Sequence, residues 1–435
     1  MSALSDALGR LHQIVGEEHL LTDTAAVGRH VVDGQMPAAV ARPGTGEEVA
    51  ALLRAAAEMK LSVLLSGAGH HLYLGAPAAP IGLVVSLTRL NRIVEYDAGD
   101  LTITAQAGMS LAALRQAVAE QGQALPLDPP GPETATLGGI VAANLSGPMR
   151  MRYGTARDLV LGMRVALTTG EVVRTGGRTI KNVAGYDLSK LFVGSLGTLG
   201  AILELTLRLA PAPEQRAVML TAMPRQGAME VASRVASSPW ALTACEVLNP
   251  TAMARLRPYL PSPGRPDACA VCVGLGGSRE AVRRQQQEIS SLVGHGAVCF
   301  EGEDADRVWE RVRGIAYPTD ANGVLLRASV LPSAIGDVLA LVSSHAGWSA
   351  LSHAGDGIVY ASPEGRTDIT AIKKAVGLVR QTCEEAGGFA VLEAGPVELK
   401  REVGVWGRGL VNSDVMKQLK LAYDPAGMLG CGRLL

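Results

Sequence analysis

The spacing of apolar and polar positions predicts that the chain begins with alternating helices and short strands. Apolar side chains recur with helical spacing over residues 4–15, and residues 38–41 form a short apolar run typical of a strand. Thr45 and Glu48 match the capping-box pattern, so a helix is predicted to begin there, followed by a strand over residues 62–65. The apolar face of this helix consists of Val49, Leu52, Leu53 and Ala56.

The next part of the chain is typical of strands that pair locally. Turn residues separate the apolar runs, and Thr169-Gly170 lies where a hairpin would turn. Ser110 is placed to cap a helix that ends near residue 118. Locally paired strands interleaved with a few helices predict an α+β domain. The predicted strands cover residues 81–87, 92–96, 101–107, 160–167 and 171–174.

A second region is predicted from about residue 214, where strands and helices become longer and more separated. Two strand–helix units are indicated, at residues 216–237 and 268–292. A single hydrophobic core rarely extends beyond roughly 250–300 residues. The length of 435 residues therefore predicts two domains.

Two glycine-rich stretches in the first region indicate that backbone approaches a ligand. One reads S-G-A-G-H-H-L-Y-L-G over residues 66–75, after a predicted strand, where successive N–H groups can form an anion site. The other reads T-L-G-G over residues 136–139 and opens an apolar run, so it predicts a helix start with several unpaired N–H groups. The alternative for this second motif is a helix start without a ligand.

Two anion sites in one domain predict a dinucleotide. They do not predict a Rossmann fold, because no G-x-G-x-x-G follows a first strand with an acidic residue about 20 positions later.

The overall charge and hydropathy narrow the class of partner. The formal net charge is −1, so the chain has no basic field for nucleic acid. No apolar run reaches about 18 residues, and the first residues lack the pattern of a secretory signal. We expect a cytoplasmic chain that binds a small molecule or another protein and reaches a membrane, if at all, through partners.

The cysteines do not predict a metal or redox site. Only Cys269 and Cys272 are closely spaced, and they lie in an apolar run that predicts a buried strand. Positions three apart on a strand point to opposite faces. No cysteine spacing typical of an iron–sulfur cluster occurs.

Several motifs occur in an order that resembles the vanillyl-alcohol oxidase / p-cresol methylhydroxylase (PCMH) family. They read S-G-A-G-H-H, P-P-G-P-E-T-A-T-L-G-G, A-A-N-L-S-G-P, Y-G-T-A-R-D-L-V-L-G and G-S-L-G-T-L-G-A-I. Within that family, K-N-V-A-G-Y-D-L-S-K-L-F-V-G-S at residues 181–195 resembles the FAD-binding E subunits of glycolate oxidases. The closing Y-D-P-A-G-M-L-G-C-G-R resembles the family's tail, with Cys431 where proline is usual.

The resemblance implies FAD as the cofactor, held by a PCMH-type FAD-binding domain of two α/β subdomains at residues 37–213. It also implies an N-terminal helical segment at 1–36, an α/β cap domain at 214–410 and a tail at 411–435 that packs on the FAD domain. The two glycine stretches would hold the pyrophosphate from opposite sides. The implied FAD-binding residues are Ser66, Gly67, Ala68, Gly69, His70, Thr136, Leu137, Gly138, Gly139, Ala143, Asn144, Gly147, Gly200 and Ile202.

The two histidines of the first loop leave two possibilities. Some members of this superfamily attach the flavin covalently through a histidine in this loop. His70 or His71 would then be the attachment site. Otherwise one imidazole donates to phosphate or packs at the edge of the loop.

Two segments of the implied cap domain indicate which residues could carry out catalysis. Related flavin dehydrogenases of 2-hydroxy acids carry H-x-G-D-G-N-x-H and E-H-G segments, which supply histidines, a glutamate and often a divalent metal. Here these segments begin at His353 and Glu393, and Tyr360 and Ala394 stand where two imidazoles would be. No metal site is therefore predicted. His353, Tyr360 and Glu393 are the candidate catalytic residues, with a structural hydrogen-bonding role as the alternative for His353.

These observations favour the FAD-binding subunit of a glycolate oxidase complex, which converts glycolate to glyoxylate. The resemblance implies a catalytic D-type flavoprotein and an iron–sulfur F-type subunit as partners. One alternative is a self-sufficient FAD-dependent 2-hydroxy acid dehydrogenase with His353, Tyr360 or Glu393 as the base. A non-catalytic scaffold with a vestigial FAD fold is the other, and the intact glycine stretches disfavour it.

Overall fold

A computed structural model describes residues 2–177, 186–260, 267–293, 296–317, 323–365, 368–407 and 413–434. Residues 181–185 of the glycolate oxidase-like block and the predicted domain boundary at 410–411 lie outside the described residues. Within the described ranges, no helix combines the length and apolarity needed to cross a membrane.

The first half of the chain alternates short strands and helices, as predicted. Thr45 caps α3 by accepting a hydrogen bond from the Glu48 N–H at 3.1 Å. The strands are β1 (Leu20–Leu21), β2 (Ala39–Ala41), β3 (Val63–Ser66), β4 (Leu83–Ser86), β5 (Ile93–Asp97), β6 (Thr102–Gln106), β7 (Gln123–Ala124), β8 (Val160–Ala166), β9 (Val172–Gly176), β10 (Ala201–Arg208) and β11 (Ala210–Pro211). The helices are α1 (Ser2–Val15), α2 (Thr24–Val27), α3 (Gly46–Glu58), α4 (Leu111–Ala119), α5 (Leu137–Ala142), α6 (Arg150–Tyr153), α7 (Ala156–Leu159) and α8 (Ser189–Phe192).

These strands form two main sheets. The first has the order β1-β2-β4-β3, with β2, β4 and β3 parallel and fully or largely buried. The second has the order β5-β6-β10-β8-β9 and is antiparallel, and its β8–β9 pair is the predicted hairpin. β7 and β11 pair separately. Locally paired strands beside a small parallel sheet confirm the α+β class.

The second half contains longer elements around one antiparallel sheet of order β15-β12-β14-β13-β17-β18-β16-β19. The strands are β12 (Gln215–Pro224), β13 (Ala244–Leu248), β14 (Ala268–Gly277), β15 (Val298–Glu301), β16 (Leu325–Ser329), β17 (Trp348–His353), β18 (Ile358–Pro363) and β19 (Phe389–Ala394). The helices are α9 (Arg225–Ala236), α10 (Pro250–Met253), α11 (Arg279–Val293), α12 (Glu303–Gly314), α13 (Ile335–Ser344), α14 (Ile369–Glu385), α15 (Val397–Val403) and α16 (Ser413–Tyr423).

The sheet of the second half is covered on both faces. Alternate residues of β14 join different buried clusters, with Cys269 on one face and Cys272 on the other, as the two-residue period of a strand requires. The two predicted strand–helix units are β12–α9 and β14–α11.

Register in this sheet places two polar pairs directly opposite each other. Arg327 of β16 pairs with Tyr360 of β18, and Glu246 of β13 pairs with His353 of β17. Residues directly opposite in a sheet project their side chains to the same face. Each pair is therefore brought together by strand alignment rather than by closeness in sequence.

The end of the chain returns to the first half. The Val63 N–H donates to Met428 O at 2.7 Å, and the Gly430 N–H donates to Val63 O at 2.9 Å. The tail thus lies beside the first residue of β3, at the opposite end of the strand from the first glycine-rich stretch.

Candidate active site

The first glycine-rich stretch leaves the end of β3 and borders a cavity, here called the first cavity. Its volume of about 820 Å³, like that of the second cavity below, includes space open to solvent. The backbone N–H groups of Ala68, Gly69, His70 and His71 donate to no other residue in the described part of the chain. A row of unpaired N–H groups attracts an anion. The stretch therefore has the geometry of the predicted anion site.

The second glycine-rich stretch meets the first across this cavity. A Cβ built on Gly67 would overlap Thr136 Oγ1 and lie 3.0 Å from Thr136 Cβ and 3.1 Å from Cγ2. Such distances leave no room for a side chain, so glycine is required for the close approach. Gly138 and Gly139 border the same cavity.

The N–H groups at the start of α5 are already paired, so the expectation of free donors there is wrong. The residues just after β6 supply the carbonyl acceptors for the first two N–H groups, and the hydroxyl of the capping threonine accepts from the third. The second stretch therefore offers a ligand its Thr136 hydroxyl and glycine surfaces, not unpaired amides. The pairs are Leu137 N–H to Met109 O (2.9 Å), Gly138 N–H to Ala107 O (2.8 Å) and Gly139 N–H to Thr136 Oγ1 (3.4 Å).

Most of the predicted FAD-binding residues border the first cavity. Leu137 and Gly147 do not: Leu137 is buried in the core, and a Cβ on Gly147 would overlap the Asp128 carbonyl oxygen. Asn144 borders a second cavity instead, and Ala143 borders both. The residues at the first cavity are Ser66, Gly67, Ala68, Gly69, His70, Thr136, Gly138, Gly139, Ala143, Gly200 and Ile202.

Some residues of the first cavity were not predicted. Arg433 reaches it from the tail, and His71, Leu196 and Gly197 also border it. The glycine pattern gives no hint of Arg433, although the tail resemblance includes it. Burial lowers the pKa of His71 to about 4, so this imidazole is neutral at pH 7.

The second cavity, of about 900 Å³, shares Leu74, Ala143 and Leu196 with the first. The two cavities are therefore adjacent, and one elongated ligand can extend from one into the other. The lining of the second cavity includes apolar side chains and a set of polar side chains, and this polar set is here called its polar side. Its apolar residues include Val391, Val405, Trp406 and Leu434, and its polar residues include Asn144, Ser146, Arg150, Arg327, Tyr360 and Glu393.

An arginine–glutamate pair dominates the polar side of the second cavity. Arg327 Nε donates to Glu393 Oε1 at 2.5 Å, and Arg327 Nη1 donates to Ser329 Oγ at 2.9 Å. Sequence patterns do not single out Arg327, because it belongs to no motif. Its position opposite Tyr360 and beside β19 comes from strand register.

Tyr360 and Arg150 complete the polar side. Burial raises the pKa of Tyr360 above its usual value, so the phenol stays protonated and can donate a hydrogen bond. The buried Nε of Arg150 has no hydrogen-bond partner among the described residues and lies 4.0 Å from Asp356 Oδ1. Two guanidinium groups, a carboxylate and a phenol suit a small anion that also carries a hydroxyl group.

His353 lies behind this surface rather than on it. It is fully buried, borders neither cavity, and its Nδ1 lies 2.6 Å from Glu246 Oε2. Burial raises the pKa of Glu246 and lowers the pKa of His353 to about 4. Burial therefore shifts both groups towards their neutral forms, which favours a hydrogen bond over an ion pair at this contact. Sequence reasoning missed Glu246.

Replacing Glu246 tests whether this pair is neutral. We expect Glu246→Ala to lower the thermal midpoint by roughly 5–10 °C, because it leaves His353 without a partner and opens a cavity. Glu246→Gln keeps a neutral hydrogen-bonding group of the same size and should lower it by less than about 3 °C. Equal losses for both variants, measured by circular dichroism, would show a charged pair instead.

In the described ranges, no group of three or more His, Cys, Asp or Glu side chains is placed to hold a metal ion. Tyr360 borders the second cavity beside guanidinium and carboxylate groups rather than imidazoles, whereas Ala394 borders neither cavity and is buried in the core.

Two family comparisons together cover most of the chain. Residues 37–176 match the family described as FAD binding domain. Residues 212–434 match the family described as FAD linked oxidases, C-terminal domain.

Of three similar proteins, two match most of this chain and one matches only part of it. The chain is 29% identical over 466 residues to glycolate oxidase subunit GlcD of Bacillus subtilis, covering 99% of this chain and 96% of that protein. It is 30% identical over 422 residues to the D-lactate dehydrogenase of Archaeoglobus fulgidus, covering 91% of each. Identity to glycolate oxidase subunit GlcE of Escherichia coli is 43%, but over 155 residues, or 35% of this chain and 44% of that protein.

A solved structure shares the fold over the full chain. The crystal structure of p-cresol methylhydroxylase with substrate bound gives a TM-score of 0.78 at 14% identity, covering 100% of this chain and 97% of that one. The predicted PCMH-type fold is confirmed.

Proposed function

Because the chain belongs to the FAD-linked oxidases and is an FAD-dependent oxidoreductase, we propose that it oxidises a small 2-hydroxy acid at its own flavin. The observation that carries the proposal is the Arg327–Glu393 pair, which lies with Tyr360 in a cavity adjoining the glycine-lined one. The names of the relatives, a glycolate oxidase subunit and a D-lactate dehydrogenase, support the substrate class.

The residues of the first cavity fit FAD. The unpaired N–H groups of residues 68–71 suit its diphosphate, and the absence of a side chain at Gly67 lets the two glycine-rich stretches approach each other closely beside the cavity. When bound, FAD supplies the acceptor for the two electrons that leave the substrate. A vestigial scaffold is disfavoured, because both glycine-rich stretches border a cavity with the predicted residues in its lining.

Arg327 is proposed to bind the substrate carboxylate. Its guanidinium already donates to Glu393 and Ser329 and still faces the second cavity. Arginine binds carboxylates through paired, charge-assisted hydrogen bonds. The Tyr360 phenol, kept protonated by burial, is placed to donate a further hydrogen bond to the substrate.

Glu393 is the best placed of the three candidate bases. His353 is withdrawn from both cavities, and Tyr360 is a donor rather than a base. The Oε2 atom of Glu393 has no hydrogen-bond partner among the described residues, whereas Oε1 accepts from Arg327. We therefore assign to Glu393 the proton that leaves the substrate hydroxyl.

The partial likeness to GlcE supports a second candidate function. In this case the chain is the FAD-binding E subunit of a glycolate oxidase complex that converts glycolate to glyoxylate. A D-type flavoprotein would then carry the chemistry and an iron–sulfur F-type subunit would accept electrons. The flavin of this chain would relay electrons or serve a structural role.

Anaerobic reduction of the purified chain separates the two candidates. We expect excess D-lactate or glycolate to bleach the flavin absorbance near 450 nm without any partner protein. Bleaching that requires added D-type and F-type subunits would favour the relay subunit. If neither condition bleaches the flavin, the 2-hydroxy acid assignment is wrong.

A further inference from the structure

A short segment of the first glycine-rich stretch borders both cavities where they adjoin. Leu72 and Leu74 border the first cavity, and Leu74 and Gly75 border the second. Its shape therefore affects both the anion site and the polar site. Residues 72–75 are here called the dividing segment.

Two buried cations hold all four carbonyl groups of the dividing segment. Lys400 Nζ donates to Tyr73 O at 2.5 Å and to Gly75 O at 3.2 Å. Arg433 Nη2 donates to Leu72 O and Leu74 O. The carbonyls thus alternate between a lysine from α15 and an arginine from the tail.

One carboxylate partly balances these two cations. Asp33 Oδ2 lies 3.0 Å from Arg433 Nη1, and Asp33 Oδ1 lies 3.9 Å from Lys400 Nζ. The Lys400 side chain is only 1% exposed and that of Arg433 only 3%. Burial lowers the pKa of Lys400 to about 8, so its amine is mainly protonated at pH 7. Carbonyl oxygens replace the water that such buried charges lose.

Lys400 also links the two halves of the molecule. It lies on α15, next to Leu399, which is buried in the core of the second half. Its amine instead contacts the first half, at the dividing segment. α15 itself borders neither cavity.

From this geometry we propose that Lys400 is a positioning residue for FAD. By holding the Tyr73 and Gly75 carbonyls, it fixes the dividing segment in the conformation that accepts the dinucleotide. FAD binding and the attachment of α15 to the first half are therefore coupled. Because coupling between two sites is reciprocal, each must strengthen the other.

The first test compares Lys400→Met with a matched control. Lys190 donates to Arg157 O and Val160 O at 2.6 Å each and lies 3.4 Å from Asp187 Oδ2, but it borders neither cavity. At pH 7 and 15 °C, we expect Lys400→Met to raise the Kd of FAD by about 10- to 100-fold, since it removes two charge-assisted hydrogen bonds. Lys190→Met should change this Kd by less than about threefold. An unchanged Kd in a folded Lys400→Met protein would overturn the proposal, whatever its thermal midpoint.

The second test uses the unsubstituted protein, so it does not depend on how a variant folds. Saturating FAD should slow amide hydrogen exchange in α15 by tenfold or more, and by more than in α11 of the same half. Equal changes in α15 and α11 would overturn the coupling. Neither test requires a substrate, so both remain valid if the 2-hydroxy acid assignment fails.

Discussion

Gly67→Ala will leave the purified protein almost without FAD. The added Cβ would overlap Thr136 Oγ1 and lie within 3.1 Å of both other side-chain carbons. Rotation of the Thr136 side chain would move Oγ1 away but would leave Thr136 Cβ 3.0 Å from the added Cβ, which is closer than Cβ atoms normally pack. The two glycine-rich stretches must move apart, and the N–H groups of the first stretch then lose their position opposite the second.

We expect the FAD-to-protein ratio to fall below a tenth and the Kd of FAD to rise by 100-fold or more, which corresponds to about 2.7 kcal/mol. Gly377→Ala is the matched control, because a Cβ there has no atom within 4 Å and lies on the helix α14. Absorbance near 450 nm and FAD titration of the apoprotein measure both quantities. A Gly67→Ala protein with normal FAD content would mean that the two stretches do not enclose the cofactor together.

Arg327→Gln will abolish most substrate binding while leaving FAD in place. The substitution removes the guanidinium that faces the second cavity and leaves Glu393 without its partner. Charge-assisted hydrogen bonds contribute about 1.5–3 kcal/mol each. The loss of two such bonds to a carboxylate predicts a KM for D-lactate or glycolate that is at least about 100-fold higher.

Arg164→Gln is a closely matched control. Arg164 Nη1 donates to Glu204 Oε1 at 2.8 Å, and the two side chains are 27% and 13% exposed, against 26% and 11% for Arg327 and Glu393. The Arg164 pair belongs to β8 and β10, outside both cavities. Its loss should change KM by less than about threefold. Similar increases in KM for both variants, measured by anaerobic flavin reduction, would show that Arg327 does not bind the substrate.

The first cavity could be largely predicted from sequence because its determinants are local. A glycine stretch after a strand and a threonine before two glycines are short patterns with direct physical meaning. The prediction of unpaired N–H groups at the start of α5 is wrong, because these groups donate to the carbonyls of Ala107 and Met109. Those acceptors lie about 30 positions earlier in the chain, and no local pattern shows such a pairing.

The second cavity could be predicted only in part, because it depends on strand register. Tyr360 and Glu393 were found through segments that resemble a family, and both border the cavity. Arg327 was not found, although it lies directly opposite Tyr360. His353 could be predicted as a candidate. Its pairing with Glu246 and its position away from both cavities depend on the alignment of β13 with β17.

A crystal structure of the chain with FAD is the most direct test of how the two cavities work together. The account predicts the diphosphate against the N–H groups of residues 68–71, with Thr136 on its other side. It predicts the flavin ring in the second cavity, beside Tyr360 and the Arg327–Glu393 pair. A diphosphate bound elsewhere, or a flavin ring separated from that pair by a closed wall, would contradict it.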